Sequence, residues 1–226
     1  MRLLRAKSSL PLILVLTAAA AAGPFEPDVP PQAVGVIEGT VGLSPPPPRR
    51  TANRYPGGAA EVHAIQQLPA VAYLVGSLPA SAGGSANRTT MEQRDTAFAP
   101  PVVAVRAGGV VSFPNGDPFF HNVFSYSTAQ RFDLGRYPRG ESKDVTFPEP
   151  GIVELFCEVH EFMRGAILVT ENPHHAMVGA DGTFRITGVP AGEHTIAFWH
   201  PDHEPVERRV TVTDGGTARI EVELTR

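Results

Sequence analysis

Proline and glycine interrupt this chain too often for long helices to form. The 226 residues include 23 prolines and 22 glycines, and both residue types destabilise the interior of a helix. Between them, valine, isoleucine, threonine and phenylalanine recur in short runs that end at turn-forming residues, which is the pattern of β-strands. The sequence therefore predicts an all-β protein.

The balance of charges argues against one class of partner. The chain has 19 lysines and arginines against 23 aspartates and glutamates, for a formal net charge of −4. Proteins that bind nucleic acid usually carry a basic patch or stripe, and this sequence has none. We therefore expect no nucleic-acid partner.

The first 22 residues have the features of a secretory signal peptide. Arg2, Arg5 and Lys7 precede an apolar run over residues 10–16, and an Ala-x-Ala site follows near Ala22. The apolar run is shorter than the roughly 20 residues that a membrane span needs, although an uncleaved anchor is the alternative. The sequence predicts a periplasmic or secreted protein with no stable membrane insertion after cleavage.

Turn-rich segments divide the remaining chain into three parts. Residues 91–171 contain closely spaced strands and are predicted to form one β-sandwich. Residues 34–78 hold two predicted strands and residues 176–226 hold four, which is few for a free-standing sandwich on either side. We therefore expect a second, smaller sandwich that is discontinuous in sequence. The predicted strands are residues 34–43, 70–75, 102–105, 110–113, 119–125, 143–147, 152–156, 166–170, 183–186, 194–199, 206–212 and 218–224.

Cys157 is the single cysteine of the chain, so an internal disulfide is excluded. In an exported protein such a thiol is a buried bystander, an intermolecular link or a metal ligand. The loop that runs through His160 to Met163 adds an imidazole and a thioether within six residues. Two imidazoles, a thiolate and a weak axial thioether are the ligands of a type 1 (blue) copper site. His121, predicted at the start of a strand, is the candidate for the second imidazole.

The spacing Cys-x-x-His-x-x-Met, followed by Arg164-Gly165 and an apolar strand, resembles the amicyanin-like ligand loop of the cupredoxin (blue copper) family. The segments 113–115 and 121–123 resemble the first-ligand strand of that family, and the resemblance covers residues 91–171. It implies a cupredoxin Greek-key β-sandwich, with His121, Cys157 and His160 as equatorial copper ligands and Met163 as the axial ligand. It also implies that Asn122 hydrogen-bonds the cysteine loop.

A second resemblance concerns the C-terminal part of the chain. Asp181-Gly182-Thr183-Phe184 and Val189-Pro190-Ala191-Gly192 are similar to segments of carboxypeptidase-regulatory-like (transthyretin-like) domains. The order of a split domain of this kind around a cupredoxin resembles the methylamine-utilisation-like proteins of bacteria. This resemblance implies that residues 34–78 and 176–226 form a transthyretin-like β-sandwich.

The function expected from these features is single-electron transport by copper between redox partner proteins, without enzymatic turnover. Phe119, Phe120, Phe124 and Phe162 are expected to line the site, with Glu158, Glu161 and Arg164 beside it to steer a charged partner. The alternatives are a copper-handling protein without electron transport, and a binding or adhesion protein with a vestigial site.

Four other histidines form pairs in the C-terminal part of the sequence. His174 and His175 are adjacent, and His200 and His203 are separated by two residues. Paired histidines in the loops of an exported protein are more often solvated than bound to metal, so we expect solvated side chains here, with a second metal site as the alternative. Trp199 is expected to be a core residue.

Overall fold

The computed structural model describes residues 33–45, 68–78 and 87–226, and every regular element in these ranges is a β-strand. The predicted signal peptide lies outside the described residues. The strands are β1 (Val34–Leu43), β2 (Val71–Leu74), β3 (Arg88–Thr90), β4 (Glu92–Arg94), β5 (Ala97–Ala99), β6 (Val102–Arg106), β7 (Gly109–Pro114), β8 (Phe124–Tyr126), β9 (Arg131–Asp133), β10 (Ser142–Phe147), β11 (Gly151–Phe156), β12 (Arg164–Thr170), β13 (His175–Met177), β14 (Thr183–Pro190), β15 (Gly192–His200), β16 (His203–Val212) and β17 (Thr217–Leu224).

Two sheets and a hairpin make up the central part of the chain. One sheet has the order β10-β7-β3 and the other the order β6-β12-β11-β8-β9, while β4 and β5 pair with each other. Alternate residues of a strand face opposite sides, so β7 buries Val111 and Phe113 while Val110 and Ser112 are partly exposed. The core between the sheets also contains Cys157 and Met163.

The strands at either end of the described chain pair with each other. β1 lies between β14 and β17, antiparallel to the first and parallel to the second, and β2 lies between β13 and β15. In β17, Val222 and Leu224 are buried while Glu221 and Glu223 are exposed, which confirms the alternation predicted for this strand. These two sheets share a core of their own. The all-β architecture predicted from the sequence is confirmed.

A third group of buried side chains lies where strands of the two cores meet. Trp199 of β15 is 6% exposed and packs with apolar side chains of β2, β6 and β12. The expectation that Trp199 is a core residue is therefore confirmed. The group consists of Val71, Val102, Ala166, Leu168 and Trp199.

The strand predicted over residues 119–125 is wrong for most of its length, because only its last two residues belong to β8. The preceding loop forms no continuous ladder, and its backbone is held by hydrogen bonds to the backbone of Tyr137 and Leu134 and to the side chain of Asn115. The Asn115 side-chain amide donates hydrogen bonds to the carbonyl oxygens of Phe119 (2.9 Å) and Tyr137 (3.0 Å). His121 therefore lies in a loop, joined to Tyr137 by an isolated β-bridge, and not at the start of a strand. Strands β3, β4, β5, β9 and β13 were not predicted. Among the described residues, no helix has the length and apolar character of a membrane span.

Candidate metal centre

Three of the four predicted ligands lie on one short connection between neighbouring strands. β11 and β12 are antiparallel, with Phe156 opposite Arg164, so the chain must reverse within the seven residues between them. Cys157 follows β11 directly, and Met163 directly precedes β12. The backbone N–H of Met163 donates to the His160 carbonyl (3.0 Å), which tightens the turn. Both sulfur side chains are buried, with Cys157 at 4% and Met163 at 2% exposure.

The structure brings His121, Cys157 and His160 together. His121 Nδ1 lies 3.6 Å from Cys157 Sγ and 3.2 Å from His160 Nδ1, and His160 Nδ1 lies 4.0 Å from Cys157 Sγ. Metal bonds of about 2.0–2.3 Å to nitrogen and sulfur place such ligand atoms roughly 3–4 Å apart, so one ion fits between the three. Met163 belongs to the same core cluster as Cys157. Its assignment as the axial ligand stays a prediction.

Asp117 fixes the ring of His121. His121 Nε2 lies 2.8 Å from Asp117 Oδ2, and both residues are buried, at 0% and 5% exposure. A carboxylate only accepts hydrogen bonds, so Nε2 carries the imidazole proton and Nδ1 turns its lone pair towards Cys157 and His160. A histidine that donates its other N–H to a carboxylate is the usual arrangement for a metal ligand. The site residues therefore fit a bound transition metal.

The Asp117 carboxylate is itself held by a tight turn between β4 and β5. Oδ1 accepts the N–H of Asp95 (2.8 Å) and Oδ2 accepts the N–H of Thr96 (3.0 Å). Both turn residues have positive φ angles, 54° and 58°, which are uncommon for residues other than glycine. Burial alone raises the pKa of Asp117, but the hydrogen bonds from Thr96, His121 and Asp95 outweigh it and leave the pKa below its usual value. Asp117 is therefore a carboxylate at neutral pH.

Asn122 connects the two loops of the site. Its side-chain oxygen accepts the backbone N–H of Glu158, at 2.6 Å, across a sequence separation of 36 residues. This confirms the hydrogen bond that the family resemblance implied. On the surface, Glu158 also pairs with Arg136, whose guanidinium lies 3.3 Å from the carboxylate. The residues flanking His121 and Cys157 are thus bonded to each other independently of any metal.

Apolar side chains surround the outer edge of His160. Phe119 lies against the rings of both His121 and His160, with centroid separations of 5.1 and 5.5 Å, and Phe162 lies 5.8 Å from His160. Phe119, Phe120 and Phe162 are 41, 56 and 49% exposed. Phe124 differs from the prediction, because it is partly buried and packs against Phe156. His160 itself is part-buried, and burial followed by the proximity of His121 lowers its pKa.

The other histidine pairs do not form a second group of this kind. Among the residues that the structure describes, His121, Cys157 and His160 form the group in which at least three histidine, cysteine or acidic side chains can share one ion. The expectation of solvated side chains is nevertheless wrong for His174, His200 and His203, which are 4, 4 and 8% exposed.

A sulfur atom and two imidazole nitrogens that converge on one point are the ligand arrangement of a blue-copper-like site. Comparisons with known families agree with this class. Residues 85–170 match the family of copper binding proteins of the plastocyanin/azurin type, and residues 164–225 match the carboxypeptidase regulatory-like domain. The copper family supports copper as the cofactor predicted from the sequence.

Individual relatives resemble part of this chain. Amicyanin of Paracoccus versutus is 33% identical over 72 residues, which are 30% of this chain and 54% of the amicyanin. The chain thus matches about half the length of this curated relative. A solved amicyanin mutant in its Cu(I) form is 22% identical, with 43% of this chain and 97% of the amicyanin covered and a TM-score of 0.35. A copper-containing nitrite reductase from Thermus scotoductus SA-01 is 26% identical over 37% of this chain and 22% of the reductase, with a TM-score of 0.36.

Proposed function

We propose that the protein is a type 1 copper protein that carries single electrons between redox partners. The observation that carries the proposal is the convergence of His121, Cys157 and His160 at mutual distances of 3.2–4.0 Å. The match of residues 85–170 to plastocyanin/azurin copper proteins supports it. His121, Cys157 and His160 would hold the ion, with Met163 as the proposed fourth ligand.

The chemistry of the ligand set suits a metal that changes its charge by one. Thiolate and thioether sulfur favour Cu(I), while imidazole also suits Cu(II), so copper supplies a reversible one-electron couple. The contribution of the protein is to hold its ligands in place in both states. Asp117 fixes His121, Asn122 fixes the start of the cysteine loop, and the β11–β12 pairing fixes both ends of that loop.

The aromatic edge of the site is the proposed contact surface for a redox partner. Phe119, Phe120 and Phe162 are exposed around His160, together with Val159 at 41% exposure. Exposed apolar groups that lie close together are typical of protein interaction sites. The Arg136–Glu158 ion pair lies next to this surface and offers charges that orient an incoming partner.

The domain organisation and location belong to the same proposal. We propose a cupredoxin over residues 91–171, flanked by a transthyretin-like sandwich from residues 34–78 and 176–226. The pairing of β1 with β14 and β17 and of β2 with β15 supports the split domain. The signal-peptide features of residues 1–22 support a periplasmic or secreted location.

Cyclic reduction and oxidation of the copper-loaded protein tests the electron-carrier role. We expect one electron per chain to be taken up and returned over repeated cycles, with the copper retained against a chelator throughout. A protein that hands copper to the chelator upon reduction would instead be a copper-delivery protein. The Glu193→Gln variant, which changes an exposed carboxylate on β15, is the matched control and should cycle like the wild type.

A further inference from the structure

A second pair of histidines faces each other at the turn between β15 and β16. His200 is the last residue of β15 and His203 is the first residue of β16, with Pro201 and Asp202 between them. Their rings are nearly perpendicular, with an interplanar angle of 87° and centroids 4.4 Å apart. The two Nδ1 atoms are separated by 2.9 Å.

The Nε2 atom of each ring lies within hydrogen-bond distance of a backbone carbonyl oxygen. His200 Nε2 lies 2.9 Å from the Leu68 oxygen, and His203 Nε2 lies 3.1 Å from the Ser44 oxygen. Carbonyl oxygens only accept hydrogen bonds, so each Nε2 must carry the proton of its neutral ring. Both Nδ1 atoms are then unprotonated, and the Nδ1 atom of His200 also accepts the Asp202 N–H. Two unprotonated ring nitrogens 2.9 Å apart repel each other unless a cation lies between them.

The distance between the ring centroids distinguishes a bound metal ion from a shared proton. In a straight N–H···N hydrogen bond the rings point at each other, and their centroids would lie about 5 Å apart at this nitrogen separation. Two metal–nitrogen bonds of about 2.0–2.1 Å that meet at about 90° would bring the centroids to about 4.5 Å. The observed 4.4 Å agrees with the metal arrangement. His121 and His160 converge in the same way, with 3.2 Å between Nδ1 atoms and 4.8 Å between centroids.

We propose that the Nδ1 atoms of His200 and His203 bind a second transition-metal ion, with Cu(II) as the preferred ion. Ligands that meet at about 90° are adjacent positions of a tetragonal site, which suits Cu(II) or Ni(II). Tetrahedral zinc would need the nitrogens about 3.3 Å apart. For a given nitrogen site, Cu(II) also binds most tightly among the divalent first-row metals. This proposal does not depend on the electron-carrier function.

The surroundings of the pair set the strength of binding. His200 and His203 are 4 and 8% exposed, and the two residues between them, Pro201 and Asp202, border a groove. The Asp202 N–H donates to His200 Nδ1 at 3.0 Å, and this hydrogen bond must break when the ion binds. Binding here is therefore weaker than at a site with a thiolate.

Titration of the purified full chain with Cu(II), followed by metal analysis and electron paramagnetic resonance, tests the proposal. We expect two ions per chain, of which the second gives the spectrum of ordinary tetragonal Cu(II). The His203→Gln variant should bind the second ion at least tenfold more weakly and keep the first. The Cys157→Ser variant should show the reverse, so failure of the second site and failure of the cysteine site are distinguishable.

The His194→Gln variant is the matched control, because His194 lies on the same strand and its Nε2 also faces a backbone carbonyl, that of Pro190. It should retain both ions. Pulsed paramagnetic resonance on the wild type, which does not rely on any variant folding, should detect two imidazole nitrogens on the second ion. One ion per wild-type chain, a second ion that persists in the His200→Gln/His203→Gln double variant, or a second ion without imidazole couplings would each overturn the proposal.

Discussion

The Asp117→Asn substitution tests whether Asp117 orients the His121 ring for metal binding. The carboxylate accepts three hydrogen bonds, from His121 Nε2 and the N–H groups of Asp95 and Thr96. An asparagine keeps one oxygen and places an NH₂ group against at least one of these donors. Because Asp117 and His121 are buried, water cannot replace the lost acceptor.

The expected losses of stability and of metal affinity follow from the type of hydrogen bond that is removed. Hydrogen bonds to charged groups contribute about 1.5–3 kcal/mol, so the metal-free protein should lose about that much free energy of unfolding. Loss of a carboxylate behind a histidine ligand typically lowers metal affinity about 10–100-fold, or about 1.4–2.8 kcal/mol. The reduction potential should rise, because removing a negative charge destabilises Cu(II) more than Cu(I).

Chelator competition measures the copper affinity, and urea unfolding of the metal-free protein measures its stability. Asp144→Asn is the matched control: Asp144 is an exposed carboxylate on β10 that pairs with Arg88 on the surface of the same sandwich, so copper affinity should not change. If Asp117→Asn keeps the copper affinity and stability of the wild type, Asp117 does not position His121 and the reasoning is refuted.

Three further substitutions test other parts of the structure. Asn122→Ala removes the acceptor of the Glu158 N–H and should cost about 1–3 kcal/mol in urea unfolding, whereas an unchanged midpoint would show that the two loops are held by other contacts. Trp199→Ala empties the contact between the two cores and should cost about 3–5 kcal/mol, seen as a lower melting temperature; a shift of a degree or less would contradict that packing. Burial is the main factor that lowers the pKa values of His174 and His175, so their neutral forms stabilise the fold above the ordinary histidine pKa of 6.5 and this contribution is lost as pH falls below it. The His174→Gln/His175→Gln variant should therefore lose less stability than the wild type between pH 6.5 and pH 5, and equal losses would contradict the assignment.

The strands were predictable where apolar runs are bounded by turn residues. β1 has the bounds predicted for it, and β17 shows the predicted alternation, because both strands are long and keep one side in a core. Strands β3, β4 and β9 have three residues each, too few for any periodicity to show. The loop before β8 was predicted as a strand because its phenylalanines look like a buried run, but Phe119 and Phe120 are exposed beside the candidate metal site.

The candidate ligands were predictable from local spacing, but the hydrogen bonds that position them were not. Cys157, His160 and Met163 share one loop, so the sequence alone places them near each other. Asp117 was overlooked because its role depends on contacts with a turn about 20 residues upstream and with His121 four residues downstream. The sequence Asp117-Pro-Phe-Phe-His121 was the available clue. A carboxylate four residues before a candidate histidine ligand is a reason to expect such a bond.

The second histidine pair shows that sequence spacing does not reveal whether a side chain is buried. His160 and His203 both follow another proposed ligand by three residues, yet the sequence favoured solvated side chains for the second pair. His200 and His203 face the backbone carbonyls of Leu68 and Ser44, which are distant in sequence and are brought near by the pairing of β2 with β15 and of β1 with β17. Sequence spacing by itself does not contain this information.

Copper titration of the purified protein, monitored by visible absorption, tests the central claim most directly. If His121, Cys157 and His160 bind one ion, the first equivalent of Cu(II) produces an intense visible band from charge transfer between the Cys157 sulfur and copper. The band should saturate at one equivalent and be absent in Cys157→Ser, while His194→Gln should keep it. A wild-type protein that stays colourless with copper bound, or a band that survives in Cys157→Ser, would contradict the assignment of this site.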